Sequence, residues 1–66
     1  MRIKLNGEAR ELEAPLSLKE FVVSEGLKPE GVAVAVDGNI VPKARWDGFV
    51  VGEGMSVDIY DMVAGG

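Results

Sequence analysis

The sequence contains neither cysteine nor histidine. Their absence removes disulfides, thiolate nucleophiles, the usual zinc ligands and the commonest general base, so most enzyme mechanisms lose their central residue. Ser17, Ser24 and Ser56 have no histidine to activate them, which rules out a triad. Positive charge is also scarce. Seven Lys and Arg against eleven Asp and Glu give a net charge of −4, the wrong sign for neutralising nucleic-acid phosphates. The expected partner is a basic protein, not a nucleic acid. No apolar run approaches the ~18 residues that span a bilayer. The opening Met1-Arg2-Ile3-Lys4-Leu5-Asn6 alternates polar and apolar residues instead of forming a secretory core. A cytoplasmic protein with no membrane contact is expected.

What is present is a small folded domain. The 66 residues suffice for one domain, since independent units need roughly 50 residues or more. Such a chain buries only ~60% of its unfolded surface, in one thin core with little room for an enclosed pocket. Chemistry is therefore expected at the surface or at an end. Apolar residues make up 47% of the chain and are spread along it, a globular pattern.

Ile3 and Leu5 alternate with Arg2, Lys4 and Asn6, which predicts a first strand with one buried face. Gly7-Glu8 is read as a turn and Arg10–Ala14 as the second strand of a hairpin, with Leu12 and Ala14 on one side. Ser17 as N-cap, Glu20 completing a capping box and Leu16 stapling to Phe21 predict a helix start. Leu18, Phe21 and Val22 share one helical face, and Gly26 marks the end near Glu25. Gly31–Val36 is the candidate central strand, valines to one side and alanines to the other, stopped by Asp37-Gly38. Asn39–Pro42 is a short extended piece. Lys43–Val51 is irregular, with Trp46 and Phe49 or Val50 turned inward, and Gly52-Glu53-Gly54 turns into a last strand that buries Val57 and Ile59. The order predicts an α+β fold: a ubiquitin-like β-grasp, with a mixed sheet of four to five strands on one main helix and the last strand beside the first. Residues 1–62 are assigned to that domain and 63–66 to a flexible tail.

The final residues are Val63-Ala64-Gly65-Gly66. Two residues without side chains can pass a channel too narrow for a Cβ and adopt the backbone angles a foreign active site demands. Four extended residues reach ~14 Å, enough to place a carboxylate in another protein's cleft. Ala64, Gly65 and Gly66 are the candidate threading segment. The carboxylates of Glu53, Asp58 and Asp61 read as solubilising charges, Gly52-Glu53-Gly54 as a turn without the lysine of a phosphate loop, and Trp46 as a core anchor. Alternation that turns Val57 and Ile59 inward turns Tyr60 and Met62 outward, on the face carrying Ala33 and Ala35. Tyr60, Met62 and Val63 are therefore candidate partner-binding residues at the root of the tail.

End to end, the chain resembles the sulfur-carrier family of thiamin thiazole biosynthesis, the ThiS type. The match is carried by Ile3-Lys4-Leu5-Asn6-Gly7, Val34-Ala35-Val36, Asn39-Ile40-Val41-Pro42, Trp46, and Val63-Ala64-Gly65-Gly66. Val41-Pro42, three residues and then Trp46 is its most discriminating internal spacing. Lys43, where arginine often follows the proline, and Met55, where a Gly-Asp pair commonly stands, depart from the pattern, and neither touches the tail. The resemblance implies a carrier that is not itself an enzyme, carries no metal and binds no cofactor of its own. A ubiquitin-activating-like adenylyltransferase would adenylate the Gly66 carboxylate with ATP and magnesium. Sulfur from a cysteine desulfurase or related donor would then replace AMP, and thiazole synthase would use the thiocarboxylate. A molybdopterin-type sulfur carrier and a ubiquitin-like protein modifier share the tail and remain alternatives, as does a purely structural β-grasp module.

Overall fold

In a computed structural model, which describes residues 1–61, the alternation of the opening residues makes strand β1 (Arg2–Leu5), with Ile3 and Leu5 buried and Arg2 and Lys4 exposed. It pairs antiparallel with β2 (Glu8–Glu11). The connection is Asn6-Gly7, with φ of +50° and +86°, the positive pair that a type I′ hairpin turn requires. That pair sets the turn one residue earlier than Gly7-Glu8, so the second strand begins at Glu8 and not at Arg10. All four β2 residues are exposed, because it is the edge of the sheet. Beyond it, the Leu12 amide donates to the Met1 carbonyl at 2.8 Å. Leu12 packs against the core, whereas Ala14, past the end of the strand, is exposed.

Helix α1 (Leu18–Ser24) starts on the expected capping box: the Glu20 amide donates to Ser17 Oγ and the Ser17 amide to Glu20 Oε1, each at 3.1 Å. The Leu18 amide, a further donor of the first turn, is taken by the Phe49 carbonyl at 2.7 Å. At the other end Gly26 takes a φ of +81°. Its amide reaches the Val23 carbonyl and that of Leu27 the Val22 carbonyl, the paired bonds of a Schellman cap. Leu18, Phe21 and Val22 are buried.

Strand β4 (Val32–Val36) follows a 3₁₀ turn at Pro29–Gly31, and a second positive-φ pair, Asp37-Gly38, returns the chain as β5 (Asn39–Ile40). Strand β7 (Ser56–Asp61) then runs between β1 and β4, parallel to the first and antiparallel to the second. The resulting sheet has the order β2-β1-β7-β4-β5, with α1 across one face in the β-grasp arrangement. The segment read as irregular holds a 3₁₀ helix, Lys43–Gly48, and β6 (Val50–Val51), which pairs with β3 (Leu16–Ser17) just before the helix. In β6, Val51 is the buried residue; Val50 is exposed and Phe49 is half-buried against the core.

The largest fully buried side chains are Phe21, Ile3, Leu18, Val22, Val34, Val51 and Val57. Ile59 is only partly buried, packed on the edge of that cluster. Trp46 closes one end: its indole Nε1 donates to the Val41 carbonyl at 2.8 Å. The Val41 amide in turn donates to Val34 at 2.9 Å. Pro42 opens the intervening 3₁₀ helix with a φ of −61°, the angle its ring enforces. The fixed spacing between Val41-Pro42 and Trp46 is thus the length of one tight turn that folds the indole back onto the Val41 carbonyl.

Candidate functional site at the end of the last strand

Strand β7 lies in the middle of the sheet, and its pairing with β4 runs through Val34↔Ile59, Ala33↔Tyr60 and Val32↔Asp61. Its pairing with β1 stops at Leu5↔Val57. The strand therefore projects past β1 toward the C-terminal residues while β4 still supports it. Met62, Val63, Ala64, Gly65 and Gly66, and with them the boundary placed between 62 and 63, lie outside the described residues.

Tyr60 stands on the face of the sheet away from the helix and is 52% exposed. Paired residues share a face in an antiparallel ladder, so Tyr60 neighbours Ala33, and Ala35 neighbours Asp58 on one side and Ile40 on the other. Ala35 is only 4% exposed. A small side chain between larger ones on both flanking strands is covered by them, so it is floor and not surface. Ile40, 65% exposed, takes the surface role instead. The period of β4 and the Asp37-Gly38 turn place Ile40 opposite Ala35, a deduction available from the sequence once the turn type is fixed.

On the helix face of the same strand end, an open groove of about 560 Å³ has Leu5, Val32 and Ile59 among its walls, with Leu27 and Lys28 from beyond the helix and Asp61 from β7. Nearby, Arg10 bonds Glu25 at 2.8 Å, fastening β2 to the C-cap of the helix. At the far end of the hairpin the N-terminal ammonium, and secondarily Arg2, hold the Glu11 carboxyl below its ordinary pKa. Glu53 is occupied structurally, its Oε1 accepting the Arg2 amide at 3.0 Å. Among the described residues no group of three acidic, His or Cys residues is arranged to hold a metal ion.

The ThiS family model matches residues 3–66, a span that takes in both the strand end and the diglycine. The chain belongs to the ThiS family. The sulfur carrier protein ThiS of Escherichia coli (strain K12) is 27% identical over 66 residues, covering 100% of both chains. The crystal structure of a thiamine biosynthesis protein (ThiS) from Geobacter metallireducens superposes with a TM-score of 0.87 at 22% identity, again over 100% of both chains. A solution structure of a thiamine biosynthesis protein from the same organism gives 0.77 at 21% identity, covering 88% of this chain and 78% of that one. The ThiS β-grasp is therefore the fold of this chain. No helix among the described residues is long and apolar enough to cross a membrane.

Proposed function

We propose that this ThiS-family chain is a sulfur carrier that donates sulfur for thiazole formation in thiamin biosynthesis, with Gly66 as the modified residue. The observation that carries the reading is the family match running unbroken from the first strand through Gly66. A carboxylate resists nucleophiles because its charge is delocalised and its oxygens are poor leaving groups. Transfer of AMP from ATP to the Gly66 carboxylate, with release of pyrophosphate, supplies a leaving group. The outer sulfur of a donor persulfide then displaces AMP to form an acyl disulfide. A second thiol attacks the donor-side sulfur of that disulfide, which releases the Gly66 thiocarboxylate and leaves the two thiols joined as a disulfide. The ATP and magnesium belong to the activating partner, and catalysis belongs to that partner and to the synthase. The carrier supplies the reacting group, consistent with a chain that has no Cys and no His. All of this takes place in the cytoplasm.

Ala64 and Gly65 thread the partner's channel, while Tyr60, Met62 and Val63 give the partner a grip at the root. The exposed ring of Tyr60 beside Ala33 supports the grip. The test is intact mass after co-expression with an activating enzyme of the ubiquitin-activating type. One oxygen replaced by sulfur at the C-terminus is the expected result, and a Gly66 deletion should fold normally yet support no pyrophosphate exchange. Amide-linked adducts to lysines of other proteins would instead identify a modifier, and transfer to a molybdopterin precursor would redirect the pathway.

A further inference from the structure

The two type I′ turns do more than reverse the chain. In the first, the Asn6 amide donates to the Val57 carbonyl at 2.8 Å and the Ile59 amide donates to Asn6 Oδ1 at 2.8 Å. In the second, the Asp37 amide donates to the Ser56 carbonyl at 2.8 Å and the Ser56 amide to Asp37 Oδ1 at 3.1 Å. Each turn thus uses its first central residue, held at φ of +50° or +51°, to clasp β7. Asp37 clasps it where it begins, and Asn6 near where it ends.

The Asn6 clasp occupies a particular rung. Between β1 and β7 the parallel ladder runs from the Lys4 amide on Met55 to the Asn6 amide on Val57. The next bond of a continued parallel strand would join the Ile59 amide to the main-chain carbonyl of residue 6. Asn6 has already turned into the left-handed region, so its side-chain carbonyl supplies that bond instead. Turn propensity does not account for this contact, since Gly-Gly also makes a type I′ turn. An Asn at this place satisfies the turn and extends the support of β7 by one rung beyond the end of β1.

We propose that Asn6 is a positioning residue for the transfer reaction: its Oδ1 fixes the direction in which β7 delivers the C-terminal residues to the activating partner. The inference rests on the sulfur-carrier reading. Gly66 is seven positions beyond Ile59, a reach of at most about 25 Å, so once a partner's channel takes up the tail, the direction of β7 at Ile59 decides where the mouth of that channel must lie. A misplacement of about 1 Å can cost ~10²-fold in rate. Asn6 acts through the backbone of Ile59 and touches no reacting atom.

The experiment compares wild type, Asn6→Gly and Asn6→Asp in three measurements: thermal melting, hydrogen exchange at the Ile59 amide, and steady-state adenylation by the activating enzyme with ATP. Glycine keeps the positive φ, so Asn6→Gly folds. Its Ile59 amide exchanges faster, and its kcat falls roughly tenfold while KM for the carrier is unchanged, because aim is lost and not the docking surface. Asn6→Asp restores the acceptor, as Asp37 does in the sister turn, and recovers both exchange protection and kcat. A merely structural role would move the melting temperature and leave kcat below the melt untouched. An Asn6→Gly variant with faster Ile59 exchange and wild-type kcat overturns the inference alone, as does an Asn6→Asp variant no better than Asn6→Gly. A wild-type chain that the enzyme does not adenylate overturns the carrier reading, and this inference with it.

Discussion

Val34 is the sharpest test of the register. It is fully buried, in the middle of β4, opposite Ile59. Val34→Ala removes two methyl groups, each worth about 0.8 kcal/mol on transfer, and leaves part of their volume as a cavity, for a total of about 2–3 kcal/mol. A domain of 66 residues has about 3–10 kcal/mol of stability in all. At about 4–8 °C per kcal/mol for a domain of this size, the melting temperature should fall by about 10–20 °C. Val34→Asp is harsher and depends on pH. Losing the valine costs about 2 kcal/mol, and burying even a protonated carboxyl without a partner costs about 2 kcal/mol more. Burial raises the folded-state pKa above its unfolded value. The added penalty is therefore absent below the unfolded value of about 3.9 and grows by about 1.4 kcal/mol per pH unit above it, until the folded pKa is reached. The variant should be unfolded at pH 7 and lie closer to wild type at pH 3, followed by circular dichroism in thermal and urea melts against wild type at each pH. An alanine variant that melts with wild type, or an aspartate variant that melts with wild type at both pH values, would show that Val34 faces solvent and that the sheet register is wrong.

Trp46→Phe keeps an aromatic ring but leaves the Val41 carbonyl without its donor. A loss of about 1–3 kcal/mol is expected in urea melts, and a smaller loss would mean that water replaces the indole. Tyr60→Asp should weaken binding to the activating enzyme several-fold in calorimetric titration with no change in melting temperature, because the ring is on the surface; unaltered affinity would remove Tyr60 from the interface. For Glu11, whose pKa is lowered chiefly by its hydrogen bond to the N-terminal ammonium, the stabilisation is present above the ordinary carboxylate range and is lost as pH falls through the folded value. Glu11→Gln should therefore be slightly less stable than wild type at neutral pH and equal to it in strong acid, and a gap that widened in acid would contradict the assignment.

What could be read in advance was what depends on neighbours in sequence. The capping box of Ser17 and Glu20, the period of Val32, Val34 and Val36, and the Gly26 cap are each set within one turn or one strand, and each stands where local chemistry puts it. The pairing of Leu16–Ser17 with Val50–Val51 was not legible, because two-residue strands carry no period and their partner is distant along the chain. The burial of Ala35 is not legible either, because on an open face it depends on the sizes of Asp58 and Ile40, which only the register brings alongside. The start of β2 depends on Asn6 as well as Gly7, since both take a positive φ and together set the turn one residue earlier than Gly7-Glu8. Of the candidate site, the diglycine end is visible in the sequence, while Gly66 itself lies outside the described residues and its role stays a proposal. Ile40 and the bond from Ile59 to Asn6 required the turn geometry.

The place of β7 has a consequence for biosynthesis. Among the described strands it comes last in chain order and lies in the middle of the sheet, so β1 and β4 have no common neighbour until Ser56–Asp61 is made. The hairpin, the helix and the β4–β5 turn must wait on the ribosome as separate pieces. The pairing that joins them, such as Leu5 with Val57, closes nearly the whole chain in one step, which makes folding late and all-or-none. A clipped chain that lacks β7 therefore has no continuous sheet, and any chain that has folded already has Ser56–Asp61 in place between β1 and β4.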